Sequence, residues 1–377
     1  MTSRASSRTA PSLLDRLSLA EVERALSDVR RGLPVLVLPR SGGPALAAPA
    51  ELAREDTIDF MAGLSHTHAR LVLSHGRAAT LKIRRYTPEG IVLADRLQAE
   101  DIRALSDPSL DLNRPLQGPF EALRDPPAMP LRAALDLMKL AELLPAALMA
   151  PVSTPKPRDW AHSRRLTSVT AEAIEKYHPR TAETLELMAS ARLPLRVQEN
   201  THILAFRSPG GGADHFALLV GDPDPASAPL TRIHSQCFTG DLLGSLKCDC
   251  GAQLRLALER MGEEGSGVLL YLMQEGRGIG LVNKLRAYRL QDQGFDTVQA
   301  NQRLGFGIDE RAYRPAAEIL KKLGFTRIRL LTNNPAKISG LEHCGVRVTE
   351  RLPLITEANP HNAEYLRAKA DKTGHKI

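Results

Sequence analysis

Three of the four cysteines in this 377-residue chain, Cys237, Cys248 and Cys250, lie in one C-x10-C-x-C cluster, C-F-T-G-D-L-L-G-S-L-K-C-D-C. Thiolates are soft ligands that suit zinc, and a catalytic zinc takes three protein ligands and keeps a fourth position for water. Cys248 and Cys250 are two apart, so an extended segment puts both sulfurs on one face, and Gly240 and Gly244 let the loop fold Cys237 back towards them. Plain buried cysteines are the competing reading, and the polar Thr239, Asp241 and Asp249 argue against an ordinary core. Two further turns could hold an anion. Q-E-G-R-G-I-G follows an apolar strand and opens a helix, so free N–H groups at Gly276, Gly278 and Gly280 and the charge of Arg277 would face a phosphate. An ordinary tight turn would carry the same glycines. In L-L-T-N-N-P-A-K, Asn334 and Pro335 mark a helix start with Lys337 in its first turn, where the dipole disfavours a cation unless an anion is bound; a solvated lysine is the alternative.

The elements that must position these groups read as an α/β (α+β) protein of two domains. The first stretch, 1–15, reads as a disordered tail. A helix starts at Ser18, stops at Gly32 and leads to the strand P-V-L-V-L-P. Further elements are a helix at 57–64, strands at 70–73 and 79–83, and a helix at 131–143, within a domain over 16–152. Prolines mark 153–186 as a linker with a helix at 171–177. Strands at 201–206, 216–220 and 230–234 deliver the chain to the cysteines, and Leu254, Ala257, Leu258 and Met261 form one helical stripe behind them. Lys+Arg 50 against Asp+Glu 43 gives +7, which suits an anionic partner, while 4 % aromatic content leaves few rings for single-strand stacking. Cysteine usage and the lack of a secretory segment point to the cytoplasm, and no apolar run is long enough to span a membrane.

V-L-V-L-P, T-I-D-F-M-A, A-D-R, I-R-A-L-S-D-P and A-A-L-D-L-M-K-L-A resemble, in order, 3,4-dihydroxy-2-butanone 4-phosphate synthase. The acidic, magnesium-binding loop of that family is replaced here by R-S-G-G-P-A-L-A-A-P-A-E, and its Gly-His-Thr-Glu run by Met129, Pro130, Leu131 and Arg132. Proline and arginine cannot replace a proton-transferring imidazole and carboxylate. The domain is expected to be inactive and to keep a structural, dimerising or regulatory role, with an unrelated α/β domain as the alternative.

R-I-H-S-Q-C-F-T-G-D, L-K-C-D-C-G-A-Q-L, Q-E-G-R-G-I-G-L-V-N-K-L-R-A-Y, L-G-F-G-I-D-E-R and L-L-T-N-N-P-A-K, spread over 187–377, resemble GTP cyclohydrolase II. The resemblance implies opening of the guanine imidazole ring of GTP with loss of formate and pyrophosphate, the entry step of riboflavin synthesis, by a homodimer. It makes Cys237, Cys248 and Cys250 the ligands of one zinc per subunit. It places Tyr288 near the chemistry, where the apolar neighbours Leu281 and Leu285 would suggest a core tyrosine. Asp309 and Arg311 match a proposed base and nucleophile at the phosphate end; a phosphate clamp is the simpler role for a guanidinium. Arg232, Ile233, His234, Ser235, Gln236, Gln253, Glu275, Gly276, Arg277, Thr297, Thr332 and Lys337 match GTP contacts, with magnesium on the phosphates. Gln236 and Lys247 stand where the familiar motif has Glu and Arg. A paralogue that retains the formyl group, acts in another pathway, or a basic nucleic-acid-binding zinc protein are the alternatives; the latter wants a fourth ligand, and Cys344 is distant in sequence.

Overall fold

A computed structural model of the chain describes residues 12–94, 97–115, 117–124 and 128–362. Most of the expected tail, and Asp95 and Arg96 of A-D-R, lie outside them. The described residues form a mixed α/β structure of two compact units, one made of those in Leu17–Tyr177 with Gly278–Glu310, the other of those in Met1–Arg16, His178–Arg277 and Arg311–Ile377. Among the described residues no helix is long and apolar enough to cross a membrane.

The first unit holds a sheet of β1 (Val35–Leu38), β2 (Ala45–Pro49), β3 (Arg70–Leu73), β4 (Gly90–Leu93), β5 (Ala146–Pro151) and β6 (Ser168–Thr170), in the order β4-β3-β5-β2-β1-β6. Its helices are α2 (Glu55–Ser65), α3 (His75–Thr80), α4 (Ala99–Ser106), α5 (Leu131–Leu140) and α6 (Pro157–Ser163), with α1 (Leu13–Val29) from Leu17 onwards and α7 (Ala171–Glu183) up to Tyr177. Val35, Val37, Ala45 and Ala47 face one core, and Leu36, Leu46 and Ala48 face another. A sheet buried on both faces explains why V-L-V-L has no polar alternation.

Three expectations change. The first helix begins at Leu13, not Ser18, with Ser12 accepting from Asp15 N at 3.1 Å. The strand expected at 79–83 is instead the last two residues of α3 and the turn that follows it, the helix start being capped by Ser74 Oγ accepting from Arg77 N; Arg77 is buried and holds Asp111 by two 2.7 Å bonds. Part of the expected linker is structured, because Val169 and its neighbours pair in parallel with β1 as β6.

The second unit has β7 (Glu186–Arg192), β8 (Thr201–Arg207), β9 (His215–Val220), β10 (Leu230–Ser235), β11 (Gly267–Leu272), β12 (Arg327–Leu331) and β13 (Arg347–Leu352), ordered β13-β12-β10-β11-β9-β8-β7. Strands β10 to β13 run parallel, and β7, β8 and β9 pair antiparallel up to β11. Helix α8 (Cys250–Glu264) makes the β10-to-β11 crossover and buries Ala257 and Met261, with Leu254 and Leu258 packed beside them, as the stripe predicts. In the first unit lie α9 (Leu281–Asp292) and α10 (Thr297–Leu304); α11 (Arg314–Lys322) and α12 (Pro335–His343) complete the second. The units therefore do not follow the 16–152 and 187–377 limits: Gly278–Glu310 joins the N-terminal half because Ile279, Ala287, Leu290, Ala300, Leu304 and Phe306 close a core with Leu144.

His215, at the start of β9, gives a pH prediction for this unit. Burial pulls its pKa down to about 4, against the raising effect of Asp214, with His178 adding to the decrease. The unfolded chain then takes up a proton from about pH 6.5 downwards that the folded chain refuses until about 4, so stability falls with pH across that window. Between pH 7 and pH 5 the loss from this site is about 2 kcal/mol. Urea midpoints at the two pH values should converge in His215→Gln, whose amide oxygen can still accept the Met273 N–H that His215 Nδ1 accepts at 3.2 Å.

Candidate metal centre and nucleotide site

Parallel strands β10, β11 and β12 end side by side, and open α/β sheets bind ligands outside such carboxyl ends. Gln236 and Cys237 follow β10, Gln274 and Glu275 follow β11, and Thr332 to Asn334 follow β12. Cys237 opens a π-helical turn, Phe238–Leu242, that carries the chain over to Cys248 and to Cys250 at the first position of α8. The three sulfurs all lie within 4.8 Å of one another, with Cys237 and Cys248 3.7 Å apart. Gly240 makes this possible: a Cβ there would stand 2.8 Å from the Cys248 sulfur, 3.0 Å from that of Cys237 and 3.1 Å from the Cys250 Cβ. Its N–H points at the Cys237 sulfur at 3.3 Å. The neighbouring Cys237 sulfur, above all, holds the Cys248 and Cys250 thiols above the ordinary thiol range, Cys250 far above. Converging sulfurs, two of which resist ionisation beside the third, are what a soft cation would relieve. The residues therefore fit a metal held by Cys237, Cys248 and Cys250. Cys344 packs against the core behind the sheet and is not in the triad.

Asp241 orders this turn. It accepts from Cys237 N at 3.0 Å and from Tyr271 Oη at 2.8 Å, and meets His234 Nε2 at 3.0 Å. Burial, the largest influence, lowers the His234 pKa, so the ring is neutral with its proton on Nε2; it stacks on Tyr271 at 5.5 Å. Phe238 N donates to Glu275 Oε2 at 2.6 Å, tying the turn to the end of β11. Asp241→Asn keeps the shape and removes the charge. Loss of such an outer partner is expected to cost about 10–100-fold in metal affinity or activity, read by chelator competition and turnover.

Arg232 is buried and bridges neighbours, donating Nη1 to Leu331 O at 2.9 Å and Nη2 to Gln253 Oε1 at 2.6 Å; Gln253 in turn donates to Asp249 at 2.6 Å. Burial pulls Arg232 down to about 10, which leaves it charged at neutral pH. Lys337 is not the solvated lysine of the simpler reading: it is 5 % exposed and donates Nζ to Ile233 O at 2.8 Å. Asn334 caps α12 at Ala336 N, and Thr332 Oγ1 accepts from Asn334 N at 3.0 Å. Gly276, Arg277 and Gly278 all have positive φ, a conformation a side chain such as that of Arg277 rarely adopts. Buried polar atoms without a partner among the described residues cluster here: Arg232 Nε, His234 Nδ1, Ser235 Oγ and Gln274 Oε1. A polar ligand would satisfy them.

The unit thus brings together Arg232 to Gln236, the cysteines, Gln253, Glu275 to Arg277, Thr332 and Lys337, and also contains Arg311. Tyr288, Thr297 and Asp309 belong to the other unit. There Leu285 is 50 % exposed, so the face Tyr288 shares with it is not core. Lys284 Nζ lies 5.7 Å from the Tyr288 ring, and Thr297 Oγ1 accepts from Gln291 at 3.2 Å. Sequence reasoning noticed Asp241 only as a polar neighbour of the cysteines and missed its ordering role, and it missed Tyr271 altogether. The acid four residues beyond Cys237 was a usable signal; Tyr271 looked like one more residue of a buried strand.

The fold and site define a class: the GTP cyclohydrolase II profile matches residues 186–353. A protein named GTP cyclohydrolase-2 from Azospirillum brasilense is 45 % identical over 367 residues, covering 96 % of this chain and 95 % of that one. The riboflavin biosynthesis protein RibBA of Salinispora tropica is 39 % identical over 396 residues, covering 94 % and 98 %. The chain belongs to the GTP cyclohydrolase II family, which is a family of hydrolases. A crystal structure of RibBX, a two-domain 3,4-dihydroxy-2-butanone 4-phosphate synthase from A. baumannii, covers 89 % of this chain and 99 % of its own at 18 % identity, with a TM-score of 0.34 too low to carry an argument.

Proposed function

We propose that this chain hydrolyses GTP to 2,5-diamino-6-(5-phospho-ribosylamino)pyrimidin-4(3H)-one, formate and pyrophosphate, the first step of riboflavin biosynthesis. The observation that carries the reading is the three-sulfur cluster at the ends of the parallel strands, beside buried Arg232 and Lys337. A zinc ion bound by Cys237, Cys248 and Cys250 supplies Lewis acidity and an activated water. The two C–N bonds at guanine C8 and the α,β-phosphoanhydride each take up one water, which accounts for formate and pyrophosphate. Neutral His234 offers Nδ1 as an acceptor, and its Nε2 is held by Asp241. Arg232, Arg277 and Lys337 offset the triphosphate charge, with magnesium as its counter-ion. Ile233, Ser235, Gln236, Gln253, Glu275, Gly276, Thr297 and Thr332 complete the GTP contacts. Tyr288 orients the second hydrolysis, and Asp309 and Arg311 serve the phosphate end. The enzyme is read as a cytoplasmic homodimer.

The N-terminal half is read as inactive. Arg132 pairs with Asp136 at 2.8 Å, which raises its pKa further, so it remains a cation where a proton-transferring carboxylate would be needed. The test is incubation of the zinc-loaded protein with GTP and magnesium, following formate, pyrophosphate and the pyrimidine by mass spectrometry. All three products should form. A product that keeps its formyl group would favour the paralogue, and untouched GTP despite bound zinc would end the enzyme reading.

A further inference from the structure

Tyr288, Thr297 and Asp309 lie on Gly278–Glu310, which packs in one unit with Leu17–Tyr177. One face of α9 is pinned there. Asn283 donates Nδ2 to Glu142 O at 2.8 Å, while Arg286 donates Nε to Asp107 and Nη1 to Glu51, each at 2.9 Å. Glu51 also accepts from Leu144 N at 3.0 Å, and Leu144 itself closes the α9–α10 core. Beyond α10, Lys139 holds Glu310 at 2.7 Å. The backbones touch: a Cβ on Gly76 would overlap the Gln302 carbonyl oxygen, and one on Gly305 would stand 2.8 Å from Pro145 Cγ and overlap Ser74 Oγ. Glu51, Gly76, Asp107, Lys139 and Glu142 all lie outside the family-matched residues 186–353. Tyr288 is two residues beyond Arg286, about 200° round the helix, so fixing the arginine face fixes the direction of the tyrosine without touching it.

We propose that the N-terminal half is the mount for the cyclohydrolase's own helices α9 and α10, with Arg286, clamped by Glu51 and Asp107, as a positioning residue for Tyr288 and Thr297. The inference rests on the reading of those two residues as part of the GTP site. It gives a half without chemistry of its own a reason to stay in the enzyme.

Gly76→Ala in the full-length, zinc-loaded protein is the test. Alanine is favoured over glycine in a helix, so α3 itself is not weakened, and only the contact with Gln302 is disturbed. Hydrogen exchange over 278–310 should speed up, kcat should fall roughly ten- to a hundred-fold, and a larger share of product should retain its formyl group, at unchanged zinc content. Arg286→Met should do the same. Arg286→Lys, which keeps the charge but cannot bridge both carboxylates, should rescue it in part. Unchanged exchange would overturn the mount. So would a fall in turnover that merely tracks the folded fraction with the product ratio unmoved, or faster exchange with wild-type kinetics. If the wild-type protein left GTP untouched, the GTP reading would fail on its own, and the exchange data would still decide whether the helices are held.

Discussion

Cys248→Ser is expected to lower GTP turnover by at least about 10³-fold and to lose stoichiometric zinc in the same preparation. A bound metal contributes several kcal/mol to the transition state, and each 1.36 kcal/mol is tenfold in rate. The hydroxyl is a harder and less acidic ligand than the thiol, so the triad becomes a pair. The sulfurs of Cys237 and Cys248 already lie 3.7 Å apart around Gly240, and no other cysteine joins them. Metal analysis beside a formate assay checks both halves. A variant that kept its zinc but lost turnover would mean that Cys248 acts in the chemistry rather than in metal retention, and one that kept both would remove the triad from the mechanism.

Asp111→Ala is expected to destabilise the N-terminal unit by about 3–5 kcal/mol, because it leaves a buried cation without its counter-charge. Arg77 is 1 % exposed and donates to both Asp111 oxygens at 2.7 Å and to Leu105 O at 2.7 Å. For a unit of this size the melting point should drop by roughly 6–20 °C. The double variant Arg77→Met with Asp111→Leu removes both charges and should recover much of the loss. Scanning calorimetry of the three proteins separates the outcomes: if the double variant melted no higher than Asp111→Ala, lost packing rather than the orphaned charge would be the cause.

Much of the site was legible because its signals are local. The C-x10-C-x-C spacing, the glycine between the cysteines and the stripe of Leu254, Ala257, Leu258 and Met261 each sit within one or two turns of chain, and the structure assembles them as that spacing suggests. Lys337 was only half legible, since its place in the first turn of α12 is local but its burial against Ile233 O comes from 104 residues away. The strand expected at 79–83 failed because a two-residue alternation cannot reveal that Ser74 caps a helix just upstream.

By itself the sequence determined the three-cysteine cluster, the order of strands and helices around it, and the family, because residue type and short spacing decide which side chains can converge and which faces are apolar. Only the tertiary structure decided that β10, β11 and β12 end together in parallel, that Asp241 gathers Cys237, Tyr271 and His234, and that α9 is held by Glu51 and Asp107. Arg286 reaches those carboxylates across 235 and 179 residues. A pairing of that range leaves no periodicity in the sequence; it exists only once burial makes an unpaired charge too costly to leave alone.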